Sequence, residues 1–170
     1  MSKYHPISGF TLIELMVVMG IISSLLVFSF PVFRDLAVFS GGKTQVGDMA
    51  RLINDLKKRA VEQNAGMVMH MDTTTNAVWV TSERMDAAQI KAAKENSVRL
   101  SADILVSGVE YPEMTLTSFP EFQIRFSRHG YSDAAHIHIR ENQKNITLQI
   151  PPFLPRVQIA DGHVHFEDCL

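Results

Sequence analysis

The chain has 170 residues, a formal net charge of −2 and a single cysteine, Cys169. This length allows one small domain with a modest core, and the near-neutral charge gives no electrostatic argument for nucleic acid or an anionic surface as a general partner. One cysteine cannot form an internal disulfide, so we interpret Cys169 as an incidental thiol; a disulfide to a second chain is the alternative.

Residues 10–33 form an almost purely apolar run that contains one charged residue, Glu14. As a helix this run would be about 36 Å long, which is enough to cross a bilayer core of about 30 Å. A carboxylate at the centre of a spanning helix costs about 2.5–3.5 kcal/mol, so Glu14 needs a cationic partner. Cleavage just before Phe10 would supply one, because the new amino group would lie one helical turn from Glu14.

The segment from Gly9 to Glu14, together with the apolar run, resembles the processing site of type IV pilins and of the pseudopilins of type II secretion. The resemblance implies that a prepilin peptidase removes the leader, residues 1–9, after Gly9 and methylates the new N-terminus at Phe10. It implies that Glu14 pairs with an N-terminal amine during assembly and that Pro31 kinks the helix. An ordinary signal peptide or a plain membrane anchor explains the lone acid less well.

Residues 34–63 are predicted to continue the transmembrane and filament-core helix of residues 10–33 as an amphipathic segment. Apolar residues recur there with helical spacing, opposite a charged face. We expect one long helix that bends at the proline and weakens at Gly41–Gly42. Asn64 and Gly66 predict its C-terminal end.

Beyond the helix the apolar period changes to two, which is typical of antiparallel strands with one buried face. The alternating segments are Met67–Met71, Val78–Val80, Phe122–Phe126, Ile137–Ile139, Ile146–Ile150, Val157–Ile159 and Val164–Phe166. Residues 86–96 lack this alternation and are predicted to form a short exposed helix or loop. The fold class is therefore predicted to be α+β, with an N-terminal helix packed on antiparallel β-sheet and a β-rich domain over residues 64–170.

The segment Ile124–Gly130, followed by the strand Ala135–Arg140, resembles the sheet domain of the H-type minor pseudopilins, and FimT-type minor pilins share this pattern. Where these proteins carry a Gly-Arg-Val element, this chain has Leu154–Val157 without a glycine, so the match is partial there. The sequence also has no Asp-rich loop of the kind that binds calcium in the major pseudopilin.

The resemblance implies a structural subunit and not an enzyme, namely a minor pseudopilin at or near the tip of the periplasmic pseudopilus, which helps to export folded proteins across the outer membrane. The chain would cross the bacterial inner membrane once, with a cytoplasmic N-terminus and a periplasmic domain. Implied partners are other minor pseudopilins, the major pseudopilin, the prepilin peptidase, the inner-membrane assembly platform, and the secretin or the exported substrate. The alternative is a minor type IV pilin that acts in pilus assembly or DNA uptake.

Two His-x-His pairs, His136/His138 and His163/His165, are the most site-like pattern in the β-rich part. On strands, each pair would present two imidazoles on one face, and two neighbouring strands could complete a tetrahedral metal site. Because both pairs alternate with apolar residues, we favour histidines that cover the solvent face, and we predict no metal and no other cofactor. The sequence carries no nucleophile elbow, phosphate loop or metalloprotease motif.

DNA uptake would require an exposed basic patch, since phosphate contacts dominate non-specific DNA binding. The two candidate sets are Lys57, Lys58 and Arg59 near the stalk, and Arg125, Arg128 and Arg140 on strands predicted to be adjacent. The negative net charge argues against nucleic acid as a partner.

Overall fold

The computed structural model describes residues 12–34, 45–112 and 114–169. The chain divides into two compact units, Met1–Leu36 and Ala37–Leu170. In the first unit, helix α1 spans Leu12–Arg34, and its only charged residues are Glu14 in the first turn and Arg34 at the end.

The second unit contains helices and antiparallel strands. The helices are α2 (Gln45–Glu62) and α3 (Ala87–Glu95). The strands are β1 (Met67–Asp72), β2 (Ala77–Ser82), β3 (Val98–Arg99), β4 (Ile104–Tyr111), β5 (Met114–Thr117), β6 (Glu121–Phe126), β7 (Ala135–Glu141), β8 (Lys144–Ile150) and β9 (Gln158–Asp161). A short 3-10 helix, Phe166–Cys169, follows β9.

The strands form two antiparallel sheets. One sheet has four strands in the order β3-β2-β1-β6, and the other has five in the order β5-β4-β7-β8-β9. The predicted α+β class, with a helix N-terminal to antiparallel sheets, is confirmed. The core consists of the apolar face of α2 and the inner faces of both sheets; its fully buried side chains include Leu52, Ile53, Leu56, Met69, Ile124, Phe126, Ile137, Ile139 and Leu148.

Helix α2 confirms the amphipathic pattern from residue 45 to residue 62. Its predicted end is also confirmed, because Asn64 has a left-handed φ of 48° and Ala65 N–H donates to the carbonyl of Ala60 at 3.1 Å. These contacts satisfy carbonyls that the last helical turn leaves open. Residues 35–44, which include Gly41–Gly42, lie outside the described residues, so the continuous helix stays a prediction.

The strand predictions are confirmed for six of the seven alternating segments, and the exposed stretch 86–96 forms helix α3, which starts with a capping box between Asp86 and Gln89. The prediction of a strand at Val164–Phe166 is wrong, because this segment pairs with no strand among the described residues. The alternation does not predict strands β3, β4 and β5.

Two turns fix the positions of β7. Asn142 and Gln143 both have positive φ, 48° and 68°, and form the two-residue turn to β8. Such turns match the twist of a hairpin and set its register, which here places His138 opposite Thr147. At the other end, Gly130 with φ 89° lies in the turn where the chain leaves β6 for β7 in the other sheet, a backbone conformation that favours glycine.

Candidate functional site

The N-terminal residues singled out by the sequence are only partly described. Gly9 and Phe10 lie outside the described residues, so the predicted cleavage site stays a prediction. Glu14 lies exposed in the first turn of α1, and Pro31 lies within the same helix, which continues to Arg34. The predicted kink at Pro31 stays a prediction.

Over residues 12–22, helix α1 presents apolar side chains on all sides. Nine large apolar residues are between 41 and 79% exposed: Leu12, Ile13, Leu15, Met16, Val17, Val18, Met19, Ile21 and Ile22. Contiguous apolar surface of this kind marks a contact with lipid or with other proteins. Over the part of the chain that is described, no helix reaches the combined length and apolarity required of a membrane span.

The β-rich unit buries a polar group of side chains on the outer face of the five-stranded sheet. His136 and His138 alternate along β7 with core residues, so they point to the face opposite the core. Glu110 on β4 lies opposite His136, and Thr147 on β8 lies opposite His138. All four are at most 5% exposed, so the prediction that the histidines of the first pair cover a solvent face is wrong.

The segment that follows β9, residues 162–166, covers this polar face. Its backbone is held by side chains of the sheet. Val164 N–H donates to Thr147 Oγ1 at 3.1 Å, and Val164 O accepts from His136 Nδ1 at 3.0 Å. Phe166 N–H donates to Glu110 Oε1 at 2.9 Å. These bonds replace a strand ladder, which is why the predicted strand at Val164–Phe166 does not form.

Glu110, His138, His163 and His165 form what we call the histidine–glutamate cluster. Glu110 Oε2 lies 3.3 Å from His138 Nε2 and 2.9 Å from His165 Nδ1. His138 Nδ1 lies 3.1 Å from His163 Nδ1 and 3.3 Å from Thr147 Oγ1. Glu110 and His138 are buried, whereas His165 is partly exposed and His163 is exposed.

Proton positions in the cluster follow from counting donors. The Thr147 hydroxyl donates to Gly162 O at 2.7 Å, so it has no proton left for His138. An ionised carboxylate only accepts hydrogen bonds, so His138 donates from Nε2 to Glu110. Its Nδ1 then carries no proton and accepts from His163 Nδ1–H. His165 Nδ1–H is the second imidazole donor to Glu110.

The pKa values of Glu110 and His138, the two buried members of the cluster, are both lowered. Burial acts to raise the pKa of Glu110, but hydrogen bonds from Phe166 N–H, His165 and His138 outweigh it, so the pKa lies below its ordinary value. Burial lowers the pKa of His138, and hydrogen bonding to Glu110 only partly opposes this effect. At neutral pH Glu110 is thus ionised and the imidazole of His138 is neutral.

The structure brings together three of the four histidines that the sequence singled out. His136 lies beside them but uses Nδ1 to bond Val164 O, and its ring stacks on Phe166 with centroids 3.8 Å apart. Sequence reasoning missed Glu110, the residue that joins His138 to His165. The sequence feature that could have revealed Glu110 is its place as the one acidic residue in the largely apolar stretch Ile104–Tyr111.

The two basic sets do not form the patches that DNA binding would need. Lys57 is buried, and its Nζ donates to the carbonyls of Pro151 at 2.6 Å and Leu154 at 2.8 Å. Arg125 and Arg140 lie on β6 and β7, which belong to different sheets, so the prediction that they share a face of adjacent strands is wrong.

Comparison with known proteins finds a family match for the N-terminal segment. Residues 5–30 match the family described as the prokaryotic N-terminal methylation motif. No curated protein matches the chain. Among solved structures, the minor pseudopilin EpsH from the Type 2 Secretion System of Vibrio cholerae aligns with 66% of this chain and 94% of its own, at a TM-score of 0.43 and 9% identity. Similarity at this level establishes neither a common fold nor a common function.

The matched segment contains the predicted cleavage site Gly9–Phe10, the acidic residue Glu14 and most of the apolar helix. The N-terminal segment is therefore similar to the methylated N-terminal segment of type IV prepilins.

Proposed function

We propose that this chain is a minor pseudopilin of a type II secretion system, a structural subunit at or near the tip of the periplasmic pseudopilus. The observation that carries the proposal is the methylation motif at residues 5–30, in register with Glu14 in the first turn of an apolar helix. The H-type assignment rests on the sequence resemblance of Ile124–Gly130 and the strand that follows.

Before assembly, residues 10–33 anchor the precursor in the inner membrane, with the leader in the cytoplasm and the β-rich unit in the periplasm. The prepilin peptidase cuts after Gly9 and methylates Phe10. The new ammonium group stabilises ionised Glu14, and the N-terminal position in the helix adds about 0.3–1 kcal/mol for a carboxylate.

In the filament, the exposed apolar side chains of α1 pack against the helices of neighbouring subunits. Glu14 of one subunit pairs with the N-terminal amine of another and so sets the axial register. A displaced subunit would leave one charge unpaired in a dry core, which costs about 3–5 kcal/mol when a buried pair is broken. The partners in this scheme are the major pseudopilin, other minor pseudopilins and the inner-membrane assembly platform, with the secretin or the exported substrate at the tip.

The scheme predicts that Glu14→Leu is inserted and processed normally but does not join the filament. In a strain that lacks the native gene, the variant should mature like the wild type on an immunoblot, while secretion of the system's substrate into the medium is lost. Glu95→Gln removes a carboxylate from the exposed face of α3 and is the matched control, for which secretion should be normal.

Normal secretion with Glu14→Leu would contradict the pairing mechanism. Deletion of the gene separates the two systems that share the motif. Loss of secretion supports the pseudopilus, whereas intact secretion with loss of surface pili would assign the chain to the minor type IV pilins, the alternative function.

A further inference from the structure

The outer face of the five-stranded sheet carries a group of side chains to which the proposed function gives no role. Glu110, His138 and His165 each offer one ligand atom, and these three atoms all lie within 4.8 Å of one another. We propose that Glu110, His138 and His165 bind a divalent transition metal ion of the zinc class, which clamps the C-terminal segment 162–166 onto the sheet.

The distances between the donor atoms fit a tetrahedral ion. Glu110 Oε2 lies 3.3 Å from His138 Nε2 and 2.9 Å from His165 Nδ1. Two ligands about 2.1 Å from a tetrahedral centre lie about 3.4 Å apart, which is close to these two distances. The third pair of donor atoms, on His138 and His165, lies within 4.8 Å. Three protein ligands leave a fourth position for water.

In Glu110 and His138, the atoms that do not face the ion already have partners of the kind seen in known metal sites. Ligating histidines donate their other N–H to an acceptor, and ligating carboxylates are themselves hydrogen-bonded. Here Glu110 Oε1 accepts from Phe166 N–H at 2.9 Å. His138 Nδ1 lies 3.3 Å from Thr147 Oγ1, which can accept its proton once Nε2 binds the ion.

The hydroxyl oxygen of Thr147 accepts one more hydrogen bond in the metal-bound arrangement than it does without the ion. Its hydroxyl donates to Gly162 O and accepts from Val164 N–H, which leaves one lone pair. That lone pair takes the Nδ1 proton of His138 when metal binding moves this proton away from Nε2. His163 Nδ1, 3.1 Å from the same nitrogen, is a second acceptor in its other tautomer.

The donor set selects the class of ion. Imidazole nitrogen is a good ligand for zinc, copper, iron and nickel, whereas calcium and magnesium prefer oxygen donors only. With one carboxylate and two unprotonated imidazoles as ligands, the site has a net charge of −1, which complements the charge of a dication. Partial exposure of His165, whose side chain is 43% exposed, gives the ion a way in.

The test is calorimetric titration of ZnCl₂ into the full-length chain, purified in detergent without a histidine tag and stripped with chelator. We expect one zinc ion per chain, with no heat from CaCl₂, and visible absorption bands of tetrahedral cobalt when Co²⁺ replaces zinc. His165→Ala and Glu110→Gln should each weaken zinc binding at least about tenfold. His129→Ala, on an exposed turn outside the cluster, is the matched control and should bind like the wild type.

Thermal melts of each variant without metal show whether it is folded. If Glu110→Gln does not fold, His165→Ala decides, because removing a partly exposed side chain leaves the buried hydrogen bonds of Glu110 to His138 and Phe166 in place. Zinc should raise the melting temperature of the wild type more than that of His165→Ala. No zinc heat in the wild type, or equal affinity in His165→Ala, would overturn the proposal.

Discussion

At the scale of single residues, His70 shows how packing sets a protonation state. Its imidazole stacks on the indole of Trp79, the single tryptophan, with ring centroids 5.0 Å apart, and its Nε2 lies 2.9 Å from Thr81 Oγ1. Burial lowers the pKa of His70 below the ordinary value of 6.5; the carboxylate of Glu121 opposes this shift and the ammonium of Lys94 adds to it. Protonation therefore favours the unfolded chain, and His70 makes the fold less stable as pH falls below 6.5.

We predict that acidification quenches Trp79 fluorescence with a midpoint below pH 6.5, because an imidazolium quenches a stacked indole more strongly than a neutral imidazole. A fluorescence titration of the full chain measures this midpoint. His70→Gln should abolish the transition. The wild-type His129 ring stacks on Tyr131 and not on Trp79, so His129→Gln should retain the transition. A wild-type midpoint at or above 6.5 would mean that burial does not control the protonation of His70.

Residues of the candidate cluster differ in how readily the sequence reveals them. The histidines stand out because two His-x-His pairs occur in alternating segments. Glu110 does not, because strand β4 changes register between Val106 and Gly108, and this irregularity breaks the period of two. The contact of Glu110 with His165 spans 55 positions and depends on how the C-terminal segment folds back.

At the scale of elements, local pattern predicts most of the second unit. The amphipathic period predicts α2, and Asn64 predicts its end. Alternation predicts β1, β2, β6, β7, β8 and β9. The failure at Val164–Phe166 has a physical cause, because side chains of three different strands bond its backbone. Local alternation cannot report such long-range hydrogen bonds.

The apolar face of α2 supplies a testable share of the stability. Leu56 is fully buried between the helix and the sheets, so Leu56→Ala should lower the free energy of unfolding by about 2–5 kcal/mol. Val61→Ala, at a site that is 49% exposed on the same helix, should change it by less than about 0.5 kcal/mol. Urea denaturation of the two variants makes the comparison; equal losses would mean that α2 does not form the core.

At the scale of the whole molecule, the two units handle apolar surface differently. The unit Ala37–Leu170 buries its own core, whereas α1 leaves its large apolar side chains exposed from Leu12 to Ile22. Soluble monomeric proteins rarely expose such a surface, so we expect lipid or neighbouring helices to cover this part of α1. The short N-terminal motif, and not the fold of the β-rich unit, therefore carries most of the functional information.

Processing at Gly9–Phe10 is the event on which pairing by Glu14 and assembly depend. The most direct test is mass spectrometry of the mature chain, isolated from cells that express it with its prepilin peptidase. We predict that the mature chain begins at N-methylated Phe10, and that Gly9→Val leaves residues 1–9 attached. A mature chain that begins at any other residue, or normal maturation of Gly9→Val, would contradict the account.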